Sequence, residues 1–507
     1  MSNAGLAARS ISAVFWGAGG TVVRMVLQMG AQVVLARLLG PTEYGVFAIG
    51  TLVITFSLFF ADVGLAYGLI QKPSVDSRDI RFVFTWQIIL GSTVATMVAL
   101  AAGPIAGFFG EPRAAGVVRV LSVLCLINAL AAPAMNLLKR ELNYRALQLS
   151  QILSYFIGFV LVGIPLALAG QAVWSLVAAW SVQAALGGLF AYAQVRHPIK
   201  PLFWYEHARS QGSYGGVVLA TNLLNWLIAN VDRSFIGRWL PSRDMGLYSQ
   251  TYNLLYSPSA SLLGVIQPVF FSAASRVTER DEGSAARAAF LGLIAALALF
   301  VAPVFVATAV LAEPFVLTLY GPKWQGAAAV CAPLALAMPF FLMVGLCTPL
   351  LWTAGRPSDE LRSQLPMAVG WALLCAWAAQ HSVVAVAWAA CGFFALRLAV
   401  VMRITAKRGA MSGGDLWRAL RGGLVVCLAL SAALAGLDLL LAAWPGPLRF
   451  VVAVAIGLPF VLGMLHAFPQ LVSSELRQLL AKLLDRLPER AARWLAFLGP
   501  DMRDKKR

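Results

Sequence analysis

Arg24, Gln28 and Gln32 recur every fourth residue inside Ile11 to Leu39, an otherwise apolar stretch long enough to cross a bilayer. On a helix all three project from one face. Arg24 lies 15 residues from Arg9 and 13 from Arg37, which leaves about 20 Å of helix on either side. At such depth an arginine is costly and faces protein or water rather than lipid. A membrane helix with a polar stripe centred on a cation points to a cavity for something anionic.

A second stripe lies in NLLNWLIANVDRSFIGRW, where Asn222, Asn225, Asp232 and Arg233 fall within about 100° of one helical face. Arg233 sits about 8 Å inward of the turn at Pro241. Local pairing of Asp232 and snorkelling of Arg233 to the headgroups would account for both equally well. Tyr252 and Tyr256 offer an apolar plate and a hydrogen bond together, which suits sugar rings, although helix packing uses the same residues. Asp62, ten residues before Lys72, could be a protonatable coupling site, a counter-ion for Arg24 or a helix-end residue. Gln148, Gln151 and Tyr155 form a polar strip that could flank a portal. No hydrolase triad, Walker loop or zinc site is present, so neither enzymatic activity nor a cofactor or metal is expected.

The elements that position these residues are membrane helices. The 507 residues are 60% hydrophobic and 12% charged, with mean hydropathy +0.78, against about a quarter charged in a soluble protein. Apolar runs of some 20 residues recur from end to end, which predicts an all-α polytopic membrane protein rather than an outer-membrane barrel. About fourteen spans are expected, near 11–38, 44–70, 82–109, 115–138, 146–169, 172–195, 210–239, 245–271, 287–312, 325–354, 364–380, 382–404, 420–443 and 447–469. The N-terminus has no small-residue cleavage site behind its first span and is read as retained. The six cysteines all fall inside apolar runs and are read as small buried hydrophobes.

The net charge of +17 does not indicate nucleic acid. With the N-terminus inside, 29 of the 39 Lys and Arg lie in the termini and even-numbered loops and 7 in the odd-numbered loops. Arg24, Arg233 and Arg397 are within spans. That bias predicts both termini in the cytoplasm of a bacterial inner membrane. The longest outward loop, Glu313 to Lys323, is short.

Residues 37–45 (RLLGPTEYG) align without gaps on 238–246 (RWLPSRDMG), an offset of 201 that spans six helices. An even number of intervening helices makes the halves parallel repeats. The offset pairs Arg24 with Asn225, Gln32 with Arg233, and Thr51 and Thr55 with Tyr252 and Tyr256, as expected where two bundles face one cavity. The expected organisation is a six-helix bundle over 1–200, a second over 201–410, two extra spans over 411–470 and a basic tail over 471–507. In that tail Leu476, Leu479, Leu480, Leu483, Leu484 and Leu487 share one face, and Arg477, Lys482 and Arg486 the other. A helix lying on the anionic leaflet is expected, with docking to a partner protein the lesser alternative.

LARLLGPTEYGVFAIG (Leu35 to Gly50), FADVGLAYGLIQK (Phe60 to Lys72), LNYRALQLSQILSYFIG (Leu142 to Gly158), NVDRSFIGRWLP and MGLYSQTYNLLYSP (Asn230 to Pro258) resemble Wzx-type polysaccharide and O-antigen flippases. The branch that includes the colanic acid exporter is the most similar. Beyond about residue 280 the likeness is mainly one of hydropathy. The resemblance implies membership of the multidrug/oligosaccharidyl-lipid/polysaccharide exporter superfamily, with two six-helix lobes around a central cavity and alternating access. It further implies an undecaprenyl-pyrophosphate-linked oligosaccharide as substrate, membrane lipids around the chain, and polysaccharide polymerase or assembly proteins as partners. Arg24, aided by Arg233, would attract the pyrophosphate; Gln28, Gln32, Asn222, Asn225, Tyr252 and Tyr256 would contact sugars; Asp62 and Asp232 would serve as coupling groups or counter-ions. An ion-coupled drug or cation antiporter of the same superfamily is the first rival, a membrane glycan polymerase or ligase the second, and a scaffold without transport activity the third.

Overall fold

The computed structural model describes residues 3–484 except 63–64, 73, 207, 279–283, 354–356 and 410. Among them every regular element is helical, the outcome that lipid imposes by leaving backbone groups no partner outside the segment itself. Each expected span falls on helix. Eleven are long and apolar enough to cross a membrane, and the other three carry more polar residues or a shorter apolar stretch.

Contacts divide the chain into two units. The first comprises residues 1–250 and 375–383. It holds α1 (Asn3–Leu39), α2 (Pro41–Asp62), α3 (Leu65–Gln71), α4 (Ser77–Phe109), α5 (Ala114–Leu121), α6 (Val123–Arg140), α7 (Tyr144–Tyr155), α8 (Ile164–Leu168), α9 (Val173–Val195), α10 (Ala208–Trp239) and the first turns of α11 (Ser242–Thr278). A π-helical segment, Phe156–Gly163, joins α7 to α8. It ends beside Pro165, whose missing N–H and bulky ring spoil the preceding turn and account for the widening. Asp76 opens α4 through a reciprocal cap: it accepts from the Arg78 and Asp79 amides while Asp79 accepts from the Asp76 amide at 3.1 Å. The first-unit helix α10 packs on α2, α3 and α4.

The second unit holds the remainder of α11, α12 (Ser284–Ala296), α13 (Ala302–Val310), α14 (Ala312–Tyr320), α15 (Ala327–Thr353), α16 (Pro357–Ala378, to Leu374), α17 (Val383–Arg408, from Val384), α18 (Gly413–Leu440), α19 (Gly446–Ala467) and α20 (Ser474–Leu484). A π segment again precedes a proline, Leu297–Val301 before Pro303. Its core gathers Phe290, Ile294, Leu342, Leu346, Val426 and Leu465. Two sequence expectations change here. Glu313 to Lys323 is not an open loop but helix α14 with a short 3-10 turn, and Phe315 packs on Phe450 of α19. The amphipathic tail helix is described to Leu484, and the described part of its apolar face packs on protein rather than facing a leaflet: Leu476 is buried, Leu479 and Leu480 pack partly buried against the core, and α20 packs along α12. The tail residues beyond 484 lie outside the described residues.

In the first unit, residues 196–206 run as a strap along the start of α4. Arg81 donates to the carbonyls of Lys200 and Pro201 at 3.0 and 3.1 Å, and Trp86 to that of Phe203 at 3.0 Å. The Leu202 amide donates to Thr85 at 2.9 Å. Tyr205 donates to Asp79, which also pairs with Lys72; burial and that acceptor raise the Tyr205 hydroxyl well above the usual phenol range. These bonds cover backbone groups that the short strap cannot satisfy by itself. Thr85→Val removes one of them at a cost of about 1 kcal/mol, so amide exchange across 200–205 is expected to speed by roughly fivefold in hydrogen–deuterium exchange, with α9 unchanged.

Candidate functional site

Arg24 sits on a polar seam between α1 and α7. The two helices run parallel and meet turn by turn: the Arg145 guanidinium lies 5.3 Å from the Trp16 ring centroid, Gln148 faces Gly20 and Thr21, and Gln151 faces Arg24. The absent side chain of Gly20 makes this close approach feasible, because a Cβ there would stand 2.7 Å from Gln148 Cβ. Gln148 Nε2 donates to Gly17 O and Thr21 Oγ1, both at 3.4 Å. Arg24 Nη1 donates to Gln151 Oε1. Among the described residues no carboxylate pairs with Arg24. A neutral amide therefore orients the half-buried guanidinium and leaves its charge uncompensated. Gln28 and Gln32, one and two turns on, are half-buried. Buried Gln148 Oε1 and Tyr155 Oη have no hydrogen-bond partner among the described residues, and the Tyr155 ring stacks on Phe159 at 4.5 Å.

Asp62 is not the counter-ion of Arg24. Its carboxylate accepts from Gln87 Nε2 at 2.6 Å and from the Ala66 amide at 3.3 Å, so it bridges α2, the start of α3 and the buried amide of α4. Neither Gln87 nor Gln151 stands near its partner in sequence, and interhelical register alone brings each pair together.

On α10, Asn225 is exposed, while the Asn222 side chain lies outside the described residues. Buried Asp232 accepts from Tyr248 Oη at 2.7 Å and from the Arg233 amide at 2.8 Å. Arg233 Nη1 donates to Asn230 Oδ1 at 3.2 Å. Thr51 and Thr55 do not present free hydroxyls, because each donates to a carbonyl of its own helix. Thr55 also accepts from Trp226 Nε1 at 3.3 Å. Tyr252 and Tyr256, in the second unit, stack at 5.2 Å, and Tyr256 packs on Phe341 at 5.2 Å. The structure thus brings candidate residues together in the α1–α7 seam, the Asp232–Arg233–Tyr248 cluster and the tyrosine stack, and leaves Asp62 with Gln87 and Asn225 outside all three.

Two features escaped the reading of individual residues. Glu43, in the first turn of α2, accepts two bonds from Arg113 Nη2 at 2.6 and 2.7 Å and one from the Val173 amide at 3.0 Å. That anion, which raises the Arg113 pKa, ties together the turns before α5 and α9. Nearby, α2 and α11 cross at Gly45 and Gly246. A Cβ on Gly45 would fall on the Ser242 carbonyl, and one on Gly246 on the Pro41 carbonyl. These glycines are equivalent under the repeat offset of 201, so the crossing is pseudo-twofold. The repeat was the signal that could have located it.

A family described as "Polysaccharide biosynthesis protein" matches residues 34–329, more than half of the chain. The chain belongs to this family. Glu43, Gly45, Asp62, Asp232 and Gly246 lie inside the matched stretch, and Arg24 precedes it. The succinoglycan biosynthesis transport protein ExoT of Rhizobium meliloti (strain 1021) is 26% identical over 331 residues, 63% of this chain and 66% of the relative. The teichuronic acid biosynthesis protein TuaB of Bacillus subtilis (strain 168) is 22% identical over 328 residues, 64% and 67% of the two chains. For the lipopolysaccharide biosynthesis protein WzxC of Escherichia coli (strain K12) the identity is 22% over 322 residues, covering 62% and 64%. The chain thus aligns with about two thirds of the length of these relatives. Among solved structures, the lipid II flippase MurJ in an inward closed conformation superposes with TM-score 0.67 at 11% identity, covering 87% of this chain and 98% of that one. A multidrug resistance MATE transporter of the MOP superfamily in an inward-facing conformation gives 0.62 at 13% identity, covering 76% and 94%. The chain shares the fold of these two solved proteins, and it is a multi-pass membrane protein.

Gly246→Val is expected to force the crossing apart, since backbone carbonyls cannot yield as a flexible side chain does. Spin labels on Thr42 and Arg243 should report longer separations in Gly246→Val than in the parent, and the same in Gly45→Val. Unchanged distances in both variants would show that the helices do not cross here in the membrane.

Proposed function

We propose that this protein is a flippase that carries undecaprenyl-pyrophosphate-linked oligosaccharide repeat units from the cytoplasmic to the outer leaflet of a bacterial inner membrane, for surface polysaccharide assembly. Family membership supports a role in polysaccharide biosynthesis, and the relatives named for succinoglycan, teichuronic acid and lipopolysaccharide support a glycan cargo. The observation that carries the reading is the uncompensated guanidinium of Arg24, oriented by Gln151 in the middle of a membrane helix. A pyrophosphate offers the paired anionic oxygens that such a cation lacks inside the protein.

In this reading residues 1–200 and 201–410 form the two bundles, 411–470 the additional spans, and both termini face the cytoplasm. Arg24, aided by Arg233, draws the pyrophosphate; Gln28, Gln32, Asn222, Asn225, Tyr252 and Tyr256 contact sugars; Asp62 serves as a coupling group, and Asp232 as a coupling group or counter-ion. The protein makes no covalent change in its cargo, and polymerase or assembly proteins receive it. Alternating access supplies the transport cycle, and the Gly45–Gly246 crossing is the closure that must part at the outward end.

Deleting the gene should leave fully assembled lipid-linked repeat units on the cytoplasmic side, detectable by mass spectrometry of extracted lipids. Arg24→Ala, at equal expression, should lower polymer export by about tenfold or more, the scale of one lost charge-assisted contact, and Arg24→Lys should recover part of it. Normal export by Arg24→Ala would overturn the assignment of the anchor.

A further inference from the structure

The transport reading leaves unused a groove of about 660 Å3 between α2, α4 and α10, all within the first unit. Leu52 and Phe56 form one wall, Met97 and Ala101 another, and Phe108 and Trp226 stand toward its two ends. Its polar members are already satisfied: Ser57 donates to the Val53 carbonyl at 2.8 Å and Ser234 to the Asn230 carbonyl at 3.0 Å. The groove is therefore apolar along its length and offers water no anchoring site.

Its ends differ. At one, the Trp226 ring packs on Phe56 at 5.0 Å and its indole N–H is held by Thr55, which closes the floor. At the other, Arg238 lies against Phe108, with its guanidinium 5.1 Å from the ring centroid and Nη1 donating to the Phe108 carbonyl at 2.7 Å. Arg238 is exposed, so donors remain for a ligand. Twelve residues separate Trp226 from Arg238, about 18 Å of helix and a little over half of a 30 Å hydrocarbon core. An open apolar groove with a cation at its mouth complements a long hydrocarbon chain carrying an anionic head.

Burial alone does not favour any lipid, because a chain leaving the bilayer exchanges one apolar environment for another. Selective occupancy must come from wall shape and from the head. Phe56, Phe108 and Trp226 make rigid aromatic surfaces that suit the fixed kinks and branch methyls of an isoprenoid better than the mobile methylenes of an acyl chain.

We propose that this groove holds the isoprenoid chain of the lipid-linked substrate, with Arg238 binding the phosphate nearest the chain at the groove mouth. The identity of the chain rests on the flippase reading, whereas occupancy of the groove is measurable without transport. Arg238 follows Arg24 by one repeat plus thirteen residues and lies at the outward end of α10, which places the groove on the side where cargo is released.

The test uses the full-length protein in phosphatidylethanolamine nanodiscs with an undecaprenyl phosphate carrying a diazirine and no glycan. Photolabelling should fall on the peptides containing Met97 and Ala101, and unlabelled undecaprenyl phosphate should displace it where phosphatidylglycerol does not. Ala101→Trp, which fills the groove, and Arg238→Gln, which removes the charge at the mouth together with its contact to Phe108, should each lower labelling by about tenfold, whereas Arg238→Lys, which keeps the charge, should largely restore it. Displacement by phosphatidylglycerol to the same extent would make this an ordinary phospholipid site and overturn the proposal. Labelling that ignores both substitutions would overturn it as well. Groove labelling in a chain whose deletion accumulates no glycan lipid would sink the transport reading and keep the groove; normal export without groove labelling would sink the groove alone.

Discussion

A guanidinium held by a neutral amide inside an apolar helix is the constraint around which the first unit is arranged. Arg24 needs partners that lipid cannot give, and Gln151 supplies a hydrogen bond without cancelling its charge. That solution requires α1 and α7 to approach closely and in parallel register. Gly20 opposite Gln148 makes the approach feasible, and Arg145 over Trp16 anchors its beginning. A carboxylate in place of Gln151 would neutralise the cation, which the amide leaves charged. Asp62, the counter-ion that the sequence suggested, is engaged by Gln87 and the start of α3.

The same economy of polar groups recurs elsewhere. Asp232 is surrounded by Tyr248 and backbone, Glu43 by Arg113 and the Val173 amide, and Asp79 by Lys72 and Tyr205. Glu43 joins turns distant in sequence, Asp79 the strap to α4, and Asp232 the consecutive helices α10 and α11, so the polar contacts specify register while the apolar surfaces supply adhesion. The glycine crossing of α2 and α11 works differently. It depends on the absence of side chains, and it brings repeat-equivalent backbones into contact.

Periodicity and composition sufficed for the all-α class and for where the helices run, eleven of them long and apolar enough to cross a membrane among the described residues, and the quoted motifs sufficed for the family. Local detail was less accessible. The tail helix had the composition of a leaflet-bound segment, yet Leu476, Leu479 and Leu480 close the core beside α12. Its amphipathicity was legible, but what covers the apolar face was not, because lipid and a neighbouring helix present the same chemistry. Likewise, Thr51 and Thr55 shared a face as expected, but their hydroxyls turned to their own helix.

By itself the sequence determined that this chain is a set of membrane helices with rare polar groups at defined depths, because hydrocarbon permits no other way to satisfy the backbone of a long apolar run. Tertiary structure alone decided which polar groups meet. Gln151 rather than Asp62 faces Arg24, and Gln87 faces Asp62, because such pairings depend on the rotation and axial shift of one helix against another. Those two quantities are set by the packing of many side chains at once, and no spacing along a single helix encodes them.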